Sequence, residues 1–222
     1  MKFKSLFLLL LVMFSTMSHA QEGCVSLNLK GGKSAVDGYY GSLLIAGFHS
    51  LDKCFSVKGG VQCNTGGRFA VEARPSYFHD FAQGRLHAEV LLHYAPHSTI
   101  HNCAVGCGVG FRSRYVYVTM GYYYRAIASG SESIVEPFNI YYEFGVDCLP
   151  SIAGWDLAFS ISNSRLLELE RHFQPSFSID GWWHPSARIG VTLGVSYKPA
   201  GMFNITSDFY QLYSNIGVCY KW

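Results

Sequence analysis

The sequence predicts an all-β chain whose antiparallel strands close into a transmembrane barrel, and three observations carry that prediction. Apolar and polar residues alternate with a period of two in segment after segment. After residue 20 there is no sustained helical period and no run approaching the roughly 20 apolar residues of a membrane-spanning helix. Aromatic residues reach 16% and charged residues only 14%, against about 25% charged in soluble domains.

Turn residues bound twelve candidate strands: 24–30, 39–48, 54–63, 68–78, 85–95, 102–112, 115–127, 136–147, 155–163, 171–183, 187–198 and 210–222. In the fifth, Leu86, Ala88, Val90, Leu92 and Tyr94 share one face, and Arg85, His87, Glu89 and His93 the other. Phe138 to Asp147 and Arg188 to Lys198 alternate in the same way. An even count puts both chain ends on one side and makes Ser113-Arg114 and His184-Pro185-Ser186 short turns on that side. The first segment is the weakest, and without it and a partner the count falls to ten. A short helical turn is expected near Leu166 to Glu170. Pro75, Pro137 and Pro175 each require a bulge or a strand end, because proline cannot donate to the ladder.

Alternation has the same form whether the apolar face meets lipid or a dry soluble core, so other features decide. Segments of about 9–11 residues suit a tilted bilayer crossing. Aromatics gather in clusters, Tyr39-Tyr40, Tyr122-Tyr123-Tyr124, Trp182-Trp183 and Tyr220 to Trp222, as they do at membrane interfaces.

The two ends of the chain agree. Lys2 and Lys4, the apolar run Leu6 to Phe14 and Ser18-His19-Ala20 have the form of a secretory signal, so residues 1–20 are expected to be removed and 21–222 to form a single domain. Gln21-Glu22-Gly23 lacks the apolar residue usual before a lipidated cysteine, which argues against a lipid anchor at Cys24. Loss of the two lysines from 17 basic residues leaves fifteen against 15 acidic ones, and a near-neutral chain argues against nucleic acid as a partner. At the other end Asn215, Gly217, Tyr220 and Trp222 match an outer-membrane insertion signal: a polar residue, a glycine two places on, then two aromatics of which the second closes the chain.

On these residues the chain resembles the small outer-membrane β-barrel proteins of Gram-negative bacteria. The resemblance implies a membrane-embedded barrel handled by the outer-membrane insertion machinery. Such barrels include passive pores, adhesins, structural proteins and a few lipid-modifying enzymes, and membership does not choose among them.

Function is sought on the inward faces, because a charge facing lipid at mid-depth costs about 2–4 kcal/mol. Lumen candidates are Lys58, Arg68, Glu72, Arg74, Arg85, Glu89, Arg125, Glu143, Asp147, Asp156, Asp180, Arg188 and Lys198. Hairpin geometry sets Arg74 opposite Glu89 and Asp180 opposite Arg188. Paired charges of both signs would narrow a channel and select small solutes by charge and width; the same pairs would also serve a plugged interior. Twelve strands lie between the filled eight-stranded barrel and the open sixteen-stranded one.

No catalytic or metal site emerges, and no cofactor is expected. His87, Glu89 and His93 lie on one face, but extended spacing puts the outer two about 20 Å apart. For a lipid hydrolase, His87, His93 and His172 fall on the lumen side, leaving His97 and His101 in an outer loop. Glu168, Glu170 and Arg171 are expected in an exposed outer rim. The seven cysteines cannot all pair within one molecule; Cys103 and Cys107 would be about 13 Å apart along one strand, and Cys63 and Cys107 fall at apolar positions. The reading that results is a narrow, weakly selective diffusion channel. A plugged structural or surface-interaction barrel is the second reading, and a lipid-modifying enzyme the third.

Overall fold

Each barrel strand pairs with two neighbours, and the sheet closes on itself. The computed structural model describes residues 22–34, 38–67, 69–97, 100–152, 154–169, 174–199 and 210–222. Its strands in chain order are β1 (Glu22–Ser34), β2 (Gly38–Ser50), β3 (Phe55–Asn64), β4 (Phe69–Phe81), β5 (Gly84–His97), β6 (Ile100–Arg112), β7 (Val116–Ser129), β8 (Glu132–Ile152), β9 (Trp155–Ser162), β10 (Ser164–Arg165), β11 (Glu168–Leu169), β12 (Ser176–Trp183), β13 (Ile189–Tyr197) and β14 (Tyr210–Lys221). Each pairs antiparallel with the next around the barrel, with β12 following β9, and β14 closes on β1. β10 and β11 form a separate two-stranded hairpin. The barrel therefore has twelve strands rather than ten, and β1, the least secure segment by sequence, is bonded along both edges.

The alternation sorts side chains as expected. Leu27, Leu29, Val90, Val105, Val109, Ile140, Val195 and Ile216 point outward, from 41% to 65% exposed. An exposed apolar belt of this kind is suited to acyl chains. Most inward positions are polar or small, with Leu44, Phe78, Leu91 and Tyr141 among the large apolar exceptions. Tyr123, expected in an interfacial cluster, turns inward and is fully buried, whereas its neighbours Tyr122 and Tyr124 face out. Trp182 likewise lines the interior while Trp183 stacks on Trp155 outside.

Two prolines fall where the ladder breaks. The β7–β8 register shifts so that Pro137 and Phe138 together oppose Tyr124, and Pro175 immediately precedes β12. Pro75 keeps its place opposite Val57, but the β4–β5 bridges lapse between Ala73 and Ser76.

Glycines on the inner wall make room for aromatic rings. A Cβ at Gly121 would meet the Tyr141 ring at 2.5 Å, and the same ring covers Gly108. Trp222 covers Gly23 at the β1–β14 seam, and its amide donates to the Gly23 carbonyl at 3.2 Å. The insertion-signal residues thus divide by face: Asn215 and Gly217 belong to the lumen side, Tyr220 and Trp222 to the outside, where their rings stack.

The cysteines at positions 24, 54, 63, 103, 107 and 219 are unpaired, and Cys63, Cys103 and Cys107 are exposed. His101 lies in β6 rather than in a loop, where the Tyr94 hydroxyl is 2.9 Å from its Nδ1.

Overpacking the ring-covered glycine is expected to cost about 1–3 kcal/mol. Gly121→Val should lower the urea midpoint of the protein folded in lipid vesicles. Gly31→Val, where a Cβ meets nothing within 4 Å, should leave it unchanged.

Candidate functional site

After β9 the chain turns into the lumen over residues 163–169. Asn163 starts the turn by imitating a strand partner: its Nδ2 donates to the Ile140 carbonyl at 2.8 Å and its Oδ1 accepts from the Tyr142 amide at 2.7 Å. These bonds use the β8 edge that β9 would otherwise have continued along. The hairpin β10–β11 follows. Its turn includes Leu167, a buried non-glycine residue with φ of 68°, a conformation that tertiary contacts must hold.

One wall holds the hairpin through a buried charge cluster. Arg74 Nε donates to Glu72 Oε1 at 2.6 Å, and His93 Nδ1 lies 3.0 Å from Glu72 Oε2. That second oxygen also accepts the Leu167 amide at 3.1 Å. Arg74 Nη2 donates to the Ser164 carbonyl at 3.0 Å and to the Ser164 hydroxyl at 2.9 Å, while its Nη1 lies 3.7 Å from Glu89. The Glu72 side chain has no exposed surface, so its charge depends on these donors.

The hairpin reaches the other wall through Arg165. Its Nη2 donates to Asp180 Oδ2 at 2.6 Å, and its Nη1 contacts the hydroxyls of Ser196 and Tyr213. Leu169 packs with Leu91, Ala104, Tyr123 and Tyr141 in a small apolar cluster. The hairpin is therefore a crossbar joining β4 to β12, β13 and β14. Of the helical turn expected near Leu166 to Glu170, the described residues 166–169 form a tight turn and β11 instead, and Glu170 lies outside the described residues. The hairpin is held in this form by Glu72, which accepts the Leu167 amide, and by Arg74, which donates to the Ser164 carbonyl.

Between the crossbar and the end where Glu22 and Trp222 lie is a chamber of about 550 Å³. Lys58, Arg74, Arg85, Glu89, Glu143, Asp147 and Asp180 line it, with Lys30, Arg112 and Arg165, which the sequence did not single out. Arg112 donates to Asp147 at 2.9 Å. Beyond the crossbar, Arg125 is buried, opposite Glu136 in register and bonded to Asn102 at 2.9 Å; Lys198 is buried just past β13. Arg68, Glu170, Arg171 and His172 lie outside the described residues.

Two expected pairings are corrected. Arg74 and Glu89 do interact, but Ser76 stands opposite Glu89, so their contact is diagonal. Asp180 stands opposite Gly194 and bonds Arg165, whereas Arg188 is exposed in a five-residue connection from His184 to Arg188. The turn is longer than expected, which moves Arg188 out of the ladder and the lumen. Arg85 bonds Asp80 at the rim at 2.5 Å, and Asp156 lies 4.0 Å from His184. His93 is committed to Glu72 and His87 to the region of Thr119, so the two imidazoles do not share a centre.

Arg165 escaped the sequence reading because it lies in the longest connection. Its only signal was the strand-like Ser-x-Ser-Arg continuation after β9.

Removing one partner of a buried pair strands the other at a cost of about 3–5 kcal/mol. Arg74→Ala is expected to release the crossbar, read as protease cleavage between residues 163 and 174 in a barrel that remains closed. Wild type should resist under the same conditions.

No protein-family profile matches the sequence, and no curated protein matches it. Solved structures do. The KdgM porin in complex with disordered oligogalacturonate is 11% identical, with 89% of this chain and 98% of that one covered and a TM-score of 0.58. The NanC porin is 12% identical over 89% and 98%, with a TM-score of 0.51. The translocator domain of the autotransporter NalP from Neisseria meningitidis is 11% identical over 98% and 95%, at 0.52. Identities this low carry the fold alone, and that fold is the closed, porin-like barrel of outer-membrane proteins.

Proposed function

We propose that the protein is a channel for small solutes in the outer membrane of a Gram-negative bacterium, narrowed at mid-depth by the crossbar. In this reading residues 1–20 direct export and are removed, and the insertion machinery reads the β14 signal. The observation that carries the reading is the polar, two-signed chamber beneath a crossbar held at both walls. A purely structural barrel has no need of a water-facing cavity of about 550 Å³. The porin neighbours support the same reading.

The plugged reading is the alternative, favoured by the complete burial of Ser162 and Ser164 where the hairpin enters. Planar-bilayer recording separates the two. Wild type should give small, discrete steps, and replacing residues 164–169 with a glycine-serine linker should enlarge them several-fold. Arg165→Ala, which frees the crossbar from one wall only, should give intermediate steps. Silence from inserted wild type and linker variant alike would remove the channel reading.

A further inference from the structure

Charge around the chamber is sorted by wall. Its cationic lining on the strands comes from Lys30, Lys58, Arg74, Arg85 and Arg112, all within β1 to β6. Three of its four acids, Glu143, Asp147 and Asp180, lie on β8 and β12. The fourth, Glu89, is covered by Arg74 at 3.7 Å. Most of these charges answer one another or a neighbour: Arg74 with Glu72, Arg85 with Asp80, Arg112 with Asp147, and Arg165 of the crossbar with Asp180. Lys30 sits over the Tyr213 ring, 5.5 Å from its centre. Among the described residues Lys58 and Glu143 enter no ion pair, although both line the chamber. They lie five strands apart in a ring of twelve, on nearly opposite walls.

We infer that the chamber is a binding site for small zwitterions, amino acids or short peptides, held with the carboxylate toward Lys58 and the ammonium toward Glu143. A cavity of about 550 Å³ is the size of a small-ligand site. Its low-dielectric walls strengthen each charge contact relative to bulk water. An anion of the same skeleton gains Lys58 and meets the acidic wall; a cation gains Glu143 and meets the basic wall. A neutral analogue gains neither. Phe78, Tyr117 and Trp182 also line the chamber and supply apolar contact for the carbon skeleton between the two charged ends. The inference deepens the channel reading and rests on it for solute access, but binding is measurable without transport.

The test uses the full barrel in detergent and four probes on one skeleton: alanylalanine, its N-acetyl derivative, its amide, and the N-acetyl amide. These are respectively zwitterionic, anionic, cationic and neutral. Ligand-detected NMR should show alanylalanine binding about tenfold more tightly than the other three. Lys58→Glu or Glu143→Lys alone gives the two unpaired positions the same sign and should erase the preference. The double variant should restore it, because a zwitterion can bind turned end for end. Glu143→Gln, a near-isosteric change, serves where a charge reversal fails to fold and should also erase it. Equal affinity for the four probes, or a double variant no better than the singles, overturns the inference. Bilayer recording on the same preparations keeps the two readings apart. Conductance steps without zwitterion preference sink this inference alone, and zwitterion binding in a silent barrel upholds it while removing the channel.

Discussion

The whole structure depends on one constraint: hydrocarbon offers no hydrogen-bond partner to a peptide group, so every strand crossing it must be bonded on both edges. Closure of β14 onto β1 meets that requirement along the last edge, with pairs from Cys24↔Lys221 to Ser34↔Tyr210. Once the cylinder is closed, each strand has one face in lipid and one face inside, and period-two alternation follows directly. Exposed Leu27, Val109 and Ile216 and buried Asn28, Thr119 and Ser196 are two results of one geometric rule.

Closure also creates a problem of volume. Eight strands enclose a space that side chains can fill, while twelve enclose more. This chain fills the excess in two ways. Large rings lie flat over inner-wall glycines, as Tyr141 does over Gly108 and Gly121. A piece of backbone, β10–β11, then crosses the lumen. Backbone in such a place is tolerated only where its polar groups are satisfied, and Glu72 and Arg74 satisfy them with charged partners, while Arg165 ties the hairpin to Asp180 through its side chain. The same charges would be costly alone. Each is stable because the crossbar and the opposite wall complete it, so the hairpin and the ionic cluster depend on each other.

The crossbar also shapes the interior. By occupying mid-depth it turns a wide tube into a chamber with a floor, and it brings Arg165 to Asp180 while Arg74 is held by Glu72 and Glu89. What remains facing the water is a basic wall and an acidic wall. Which charges face one another in such a space follows from the order of strands around the cylinder rather than from any local motif.

The sequence by itself determined the fold class, a count of twelve strands or ten, and the face on which most of the described lumen candidates lie. Alternation, turn residues and the cost of a charge in lipid are local signals that each segment carries alone. Arg125, Glu143 and Asp147 are inward for that reason, and Pro137 marks its bulge because it lacks an N–H. The tertiary structure alone decided which inward charges meet. Register moved Glu89 opposite Ser76 and set Arg188 outside the ladder, and inward folding of the β9–β12 connection supplied Arg165. Those outcomes depend on turn lengths and on contacts between residues as far apart as Glu72 and Leu167. A period of two says which side a residue faces, but not how far along its neighbour it sits or where a connection will run.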